Sequence, residues 1–163
     1  MKACLALLVA LLLVPGCDPR LPDNKADGPP PAPDPRAKTL WSADLAAAQA
    51  RAQESGKLVL LDFTGSDWCP PCMMLHDHVL TQKEFLDYAE KHLELVVIDF
   101  PKRTPLDEET ERANQTLAQT HKVNAFPTII VMQPDGKILH RYEGYGRETA
   151  KGFTEALAAK LGR

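Results

Sequence analysis

Leu58-Val59-Leu60-Leu61-Asp62-Phe63-Thr64-Gly65-Ser66-Asp67-Trp68-Cys69-Pro70-Pro71-Cys72 is the stretch that decides the fold. Its first six residues form an apolar run of strand length with no polar alternate face, as in a central strand covered on both sides. Asp62 stands near the end of that run, and Gly65-Ser66 breaks it. Two cysteines separated by two prolines follow. Proline is tolerated in the first helical turn, where a missing N–H costs little, so a helix starts at this motif and runs to about Val79. A helix start leaves unpaired N–H groups with partial positive charge, which favour a thiolate over a thiol. The thiolate is the species that attacks disulfides. Cys69 then occupies the cap position, the more exposed of the two, and Cys72 lies one turn in and faces the interior.

Outward from this stretch the chain alternates strands and helices. Upstream, Ser42 can cap a helix through Leu45, Ala48 and Ala52 that stops at Gly56. Downstream, Thr81 and Glu84 make a capping box for a helix packing through Phe85, Tyr88 and Ala89. Leu95 to Phe100 is a second buried strand, and Thr104-Pro105 opens a helix to about His121. Thr128 to Met132 and Lys137 to Glu143 are strands joined by the turn Pro134-Asp135-Gly136, and 147–161 is an amphipathic helix. Strand, helix, strand early in the chain predicts parallel pairing; the late tight turn predicts an antiparallel hairpin. The class is α/β, a central mixed sheet of four to five strands with helices on both faces. The folded domain is expected over residues 39–163.

The N-terminus reads as an export signal over 1–16. Met1-Lys2 gives a basic start, and Ala3 to Val14 is apolar but too short for the roughly twenty residues of a membrane span. Val14-Pro15-Gly16-Cys17 then resembles the lipobox of bacterial lipoproteins, in which the cysteine becomes the lipidated first residue; the alternative is a plain secreted protein. Residues 18–38 hold seven prolines and almost nothing apolar, so 17–38 is expected to be a lipidated cysteine followed by a disordered tether. Cys4 leaves with the signal and Cys17 carries lipid. Cys69 and Cys72 remain, in an oxidising compartment where they can pair. A bridge over two residues gains little stability, so its use is chemical rather than structural. The net charge of −3 with no long basic run argues against nucleic acid as a partner.

Trp68-Cys69-Pro70-Pro71-Cys72 after a strand, with Phe126-Pro127-Thr128 before a later strand, resembles the thioredoxin family over about residues 41 to 161. Leu61 to Cys69 is especially similar to secreted bacterial members, including the electron-delivering domains of periplasmic disulfide reductases. The resemblance implies a thioredoxin-like fold and a thiol:disulfide oxidoreductase using the Cys69–Cys72 pair, without a cofactor. It implies that Pro127 is cis and faces the cysteines, with the Phe126 backbone open to an extended substrate chain. Asp62 corresponds to the buried acid that handles the proton of Cys72, although one extra residue separates it from Trp68 and the accompanying lysine has no match in Leu95 to Phe100. Trp68, Pro70 and Pro71 would border the substrate. Gly144 would meet a backbone requirement, with Tyr142 and Tyr145 packing. Asp99 reads as a strand-end residue.

The partners implied are protein thiols and disulfides, a membrane electron donor and, through Cys17, a membrane, for a monomer on the periplasmic face of the cell envelope. The direction leans toward reduction, with apocytochrome c cysteines as one task among several. Two rivals stand beside this. Cys69, Cys72, Met73, Met74, His76 and His78 are soft ligand types suited to copper, but on a helix they do not all share a face, and no second cysteine pair completes a zinc site; no metal is expected. The other rival is a thioredoxin-fold adaptor without turnover, which would have no use for a dithiol.

Overall fold

The computed structural model describes residues 25–163; the expectations of a signal segment and of Cys17 lipidation lie outside them. The decisive run becomes the middle of a sheet. Strand β2 (Leu58–Thr64) is buried at every position. It pairs in parallel with β3 (Leu93–Asp99) and antiparallel with β4 (Thr128–Met132). β5 (Ile138–Glu143) follows antiparallel to β4, and a two-residue β1 (Trp41–Ser42) adds to β3. The order is β1-β3-β2-β4-β5, a five-stranded mixed sheet.

The period of two along a strand sorts β2 between two cores. Leu58 and Leu60 pack with Leu75, Phe85, Leu86 and Phe153, whereas Val59, Leu61 and Phe63 pack with Ala48, Ala52, Val96 and Ile130. The helices behind these faces are α2 (Leu45–Ser55), α3 (Pro70–Leu75), α4 (Lys83–His92), α5 (Glu108–Thr120) and α6 (Ala150–Leu161), with a short α1 (Ala37–Leu40) before β1.

Several helix boundaries differ from the sequence reading, each for a local reason. Asp44, not Ser42, caps α2 by accepting from the Ala47 amide. Asp107 caps α5 through the Thr110 amide, so that helix starts after Thr104-Pro105. Thr81 makes no capping box: its hydroxyl donates back to the His76 carbonyl. The helix after the cysteines is α only as far as Leu75 and then turns π over His76–Leu80.

The expected free tether is also revised. Residues 25–38 lie along the domain: the Ala26 amide donates to the Arg147 carbonyl (2.6 Å), the Asp34 amide to the Thr81 carbonyl (2.9 Å), and Arg36 pairs with Asp87 and Glu90 of α4. Prolines unable to donate in a sheet still present carbonyls, and Gln82 Nε2 donates to that of Pro31.

Candidate active site

Cys69 caps α3 in an extended conformation, with Pro70 and Pro71 in the first turn. The turn that precedes it is closed by the Cys69 amide donating to the Gly65 carbonyl at 3.0 Å. Cys69 and Cys72 form a disulfide, with 5.3 Å between their Cα atoms. Both are covered, Cys69 at 4% exposure and Cys72 at 2%, so the expected contrast in exposure is slight. The supply of helix-start amides is smaller than the sequence reading supposed. Pro70 and Pro71 have no N–H, the Cys69 amide is used by Gly65, and the Met73 amide donates to the Cys69 carbonyl. That leaves the Cys72 amide as the N–H of this turn, backed by the dipole of the helical run from Pro70 to Leu80.

Strand β2 runs on past Asp62 to Thr64. The parity of Asp62 puts it on the face of Leu60 and α3, and it lines a cavity of about 380 Å³ together with Cys72, Thr64 and His76. The extra residue before Trp68 is taken up by the turn Gly65–Trp68 after the strand has ended, so it flips no side chain. Asp62 is buried and its Oδ1 has no hydrogen-bond partner among the described residues. Burial first, and the charge of Asp99 second, push its carboxyl up to about 7.

Trp68 is built into the wall of the site. Its indole N–H donates to the Phe100 carbonyl (2.6 Å), its ring meets that of Phe126 edge-on at 5.8 Å, and Lys102 Nζ lies 3.9 Å over it. The Phe126–Pro127 peptide is cis, and Pro127 is tied into the sheet end through its carbonyl, which accepts from the Gly144 amide at 2.8 Å. Gly144 has φ +81°, a conformation that favours glycine. The Tyr142 and Tyr145 hydroxyls donate to Glu148 and serve packing.

Two residues had roles the sequence reading missed. Asp67 accepts from the amides of Lys102, Arg103 and Thr104, with Lys102 foremost in holding its carboxyl below the usual range, and so ties the loop after β3 to the cysteine turn. Asp99 fixes the same turn by accepting from the Ser66 amide and hydroxyl. An Asp just before a Trp-Cys pair was the available signal, but its partners lie more than thirty residues away. Among the described residues no three His, Cys, Asp or Glu side chains are placed to hold one ion, and Met73 is exposed.

A cysteine pair at a helix start that shares a cavity with a buried acid, together with a cis-proline loop whose Phe126 meets Trp68, defines a thioredoxin-like thiol–disulfide oxidoreductase. The family model for the thioredoxin-like domain matches residues 45–160, and the chain belongs to that family. It is 32% identical over 141 residues to the disulfide bond reductase DsbH of Chlamydia pneumoniae, covering 86% of this chain and 84% of that one. It is also 27% identical over 118 residues to the thioredoxin-related protein DsbJ of the same organism, covering 72% of this chain but 34% of that longer protein. A solved structure of a DsbH oxidoreductase matches with a TM-score of 0.69 at 29% identity, over 84% of this chain and 95% of that one.

Proposed function

We propose that the protein is an extracytoplasmic, membrane-tethered reductase of protein disulfides. The observation that supports this reading is that Cys72 lines one cavity with the buried Asp62, whose Oδ1 has no hydrogen-bond partner among the described residues, while Cys69 is bonded to Cys72 from the helix cap. In the reduced protein the Cys69 thiolate attacks a substrate disulfide. A Cys69–substrate S–S bond forms, and the first substrate sulfur leaves as a thiolate that takes a proton from water. Asp62 then accepts the Cys72 proton, Cys72 attacks Cys69, and the second substrate sulfur leaves with the electron pair and is protonated in turn. Two electrons pass from the dithiol to the substrate. A carboxyl poised near neutrality suits this step, because a base must be ionised to accept and weak enough as a base to give the proton up again.

Substrate chains would lie between Trp68, Pro70 and Pro71 on one side and Phe126-Pro127 on the other, with the Phe126 backbone adding a strand. The likeness to a disulfide bond reductase supports the reducing direction. The apolar segment Ala3–Val14 followed by Cys17 supports export and a lipid anchor facing the periplasm, and an anchored reductase needs a membrane electron donor. The test is insulin reduction with dithiothreitol, together with equilibration against glutathione. Turnover lost in Cys69→Ser, and an equilibrium lying well toward the disulfide form, support the reading. Wild type no faster than Cys69→Ser, or a potential near those of strong oxidants, contradicts it.

A further inference from the structure

Asp62 is buried, at 4% exposure, and a proton it takes from Cys72 must leave before the next cycle. The lysine that accompanies this acid elsewhere is missing: Val97 is the β3 residue opposite Asp62. Two cavities reach the carboxyl. One, of about 380 Å³, runs past Cys72; the other, of about 480 Å³, lies beneath the N-terminal arm, with Pro33, Pro35 and Trp41 in its wall. Both are large enough for ordered water. Apart from Asp62 itself, the one titratable side chain that lines both is His76.

His76 follows Cys72 by one helical turn, and its amide donates to the Cys72 carbonyl, where the α-helix passes into the π turn. Its backbone is pinned by Thr81, whose amide and hydroxyl both donate to the His76 carbonyl. The side chain is 58% exposed, so the ring reaches solvent. Its Nδ1 lies 2.9 Å from Asp77 Oδ1. A carboxylate can only accept, which places the proton on Nδ1 and leaves Nε2 to take up another. The charged groups around this ring are Asp62 on β2, Asp77 beside it on the helix, and Asp34 and Lys38 on the arm. Asp34 is engaged by Arg36, and Asp99 on β3 by Ser66. An imidazole carries a donor and an acceptor nitrogen, so this ring can take a proton on one side and give one up on the other.

We propose that His76 is the residue that carries the proton between Asp62 and solvent, a positioning residue acting through the buried acid rather than on either sulfur. As Cys72 attacks Cys69 its proton goes to Asp62, and in the same step Asp62 hands a proton through cavity water to Nε2 of His76, which releases it outside. Reduction of the disulfide by the electron donor runs the same route inward. This rests on the proposed role of Asp62.

The reduced full chain, mixed rapidly with dithiobis(nitrobenzoate), releases one coloured thiolate as Cys69 attacks and a second as Cys72 resolves. His76→Ala removes an exposed side chain and should leave the fold intact. It should leave the first phase unchanged and slow the second about tenfold below neutral pH, less than the 10²–10⁴ typical of losing a direct general base. Added imidazole should restore the rate, a recovery that a merely structural role would not show. A second phase with wild-type rate and pH profile in His76→Ala, or a slowing that imidazole leaves untouched, overturns the inference. Asp62→Asn separates the two levels. If it slows the second phase while His76→Ala does not, only the inference falls; if neither slows it, the proton role of Asp62 falls as well.

Discussion

Replacing Asp62 by Asn makes the cost of the buried acid measurable. Asp62 is the one charged residue buried among those described. It moves from 3.8 to about 7 on folding, through burial and then repulsion by Asp99. The sign follows from linkage: the folded chain holds this proton more tightly than the unfolded chain, so the advantage is present below the unfolded value and is lost as pH rises through the folded one. At about 1.4 kcal/mol per pH unit of displacement, full ionisation costs roughly 4 kcal/mol, of which about 2.5 kcal/mol develops between pH 5 and pH 8.5. Urea unfolding of the oxidised wild type and of oxidised Asp62→Asn at these two pH values isolates the effect, because disulfide cysteines do not titrate and every other group is shared. Wild type should lose about 2.5 kcal/mol more than the variant over that interval. Parallel profiles would refute the reasoning and place the carboxyl in contact with water.

Three further outcomes are expected. A Cβ at Gly65 would come within 2.5 Å of the Trp68 indole, so Gly65→Ala should displace that ring from the Phe100 carbonyl, change its fluorescence and lower insulin reduction several-fold; unaltered fluorescence would count against Trp68 as a fixed wall. Cys72→Ser should accumulate a stable mixed disulfide between Cys69 and substrate, seen as a mass adduct, and trapping through another residue would contradict the assignment of the attacking sulfur. Deleting residues 1–38 removes one wall of the larger cavity beside Asp62; its carboxyl should then ionise closer to 3.8, measured by carbon NMR of the side chain, whereas an unmoved midpoint would show that the arm does not shield it.

The class and topology were legible because the strongest signals were local. The apolar run at Leu58 could only be a covered strand, and the turn at Pro134-Asp135-Gly136 closes the β4–β5 hairpin where its residues suggest. Cys69 and Cys72 were legible by elimination, and the side of the sheet taken by Asp62 by parity once the turn is known to begin after Thr64. What escaped was held from a distance. α5 starts late because the preceding loop is fixed by Asp67, far back in the chain. The arm looks unfoldable by composition, having almost nothing apolar, yet it is held by backbone hydrogen bonds to Thr81 and Arg147 and by Arg36 ion pairs to α4, all far along the chain. The prolines themselves hid a subtraction: they permit the helix but remove two of the amides that a helix start would offer Cys69.

Cys69 is expected to ionise readily despite that loss, through the Cys72 amide and the helix behind it. Alkylation of Cys69 in the reduced Cys72→Ser protein, which keeps that amide, followed as a function of pH, tests it most directly. The half-point should fall clearly below the roughly 8.5 of a free thiol. A half-point at or above that value would contradict it.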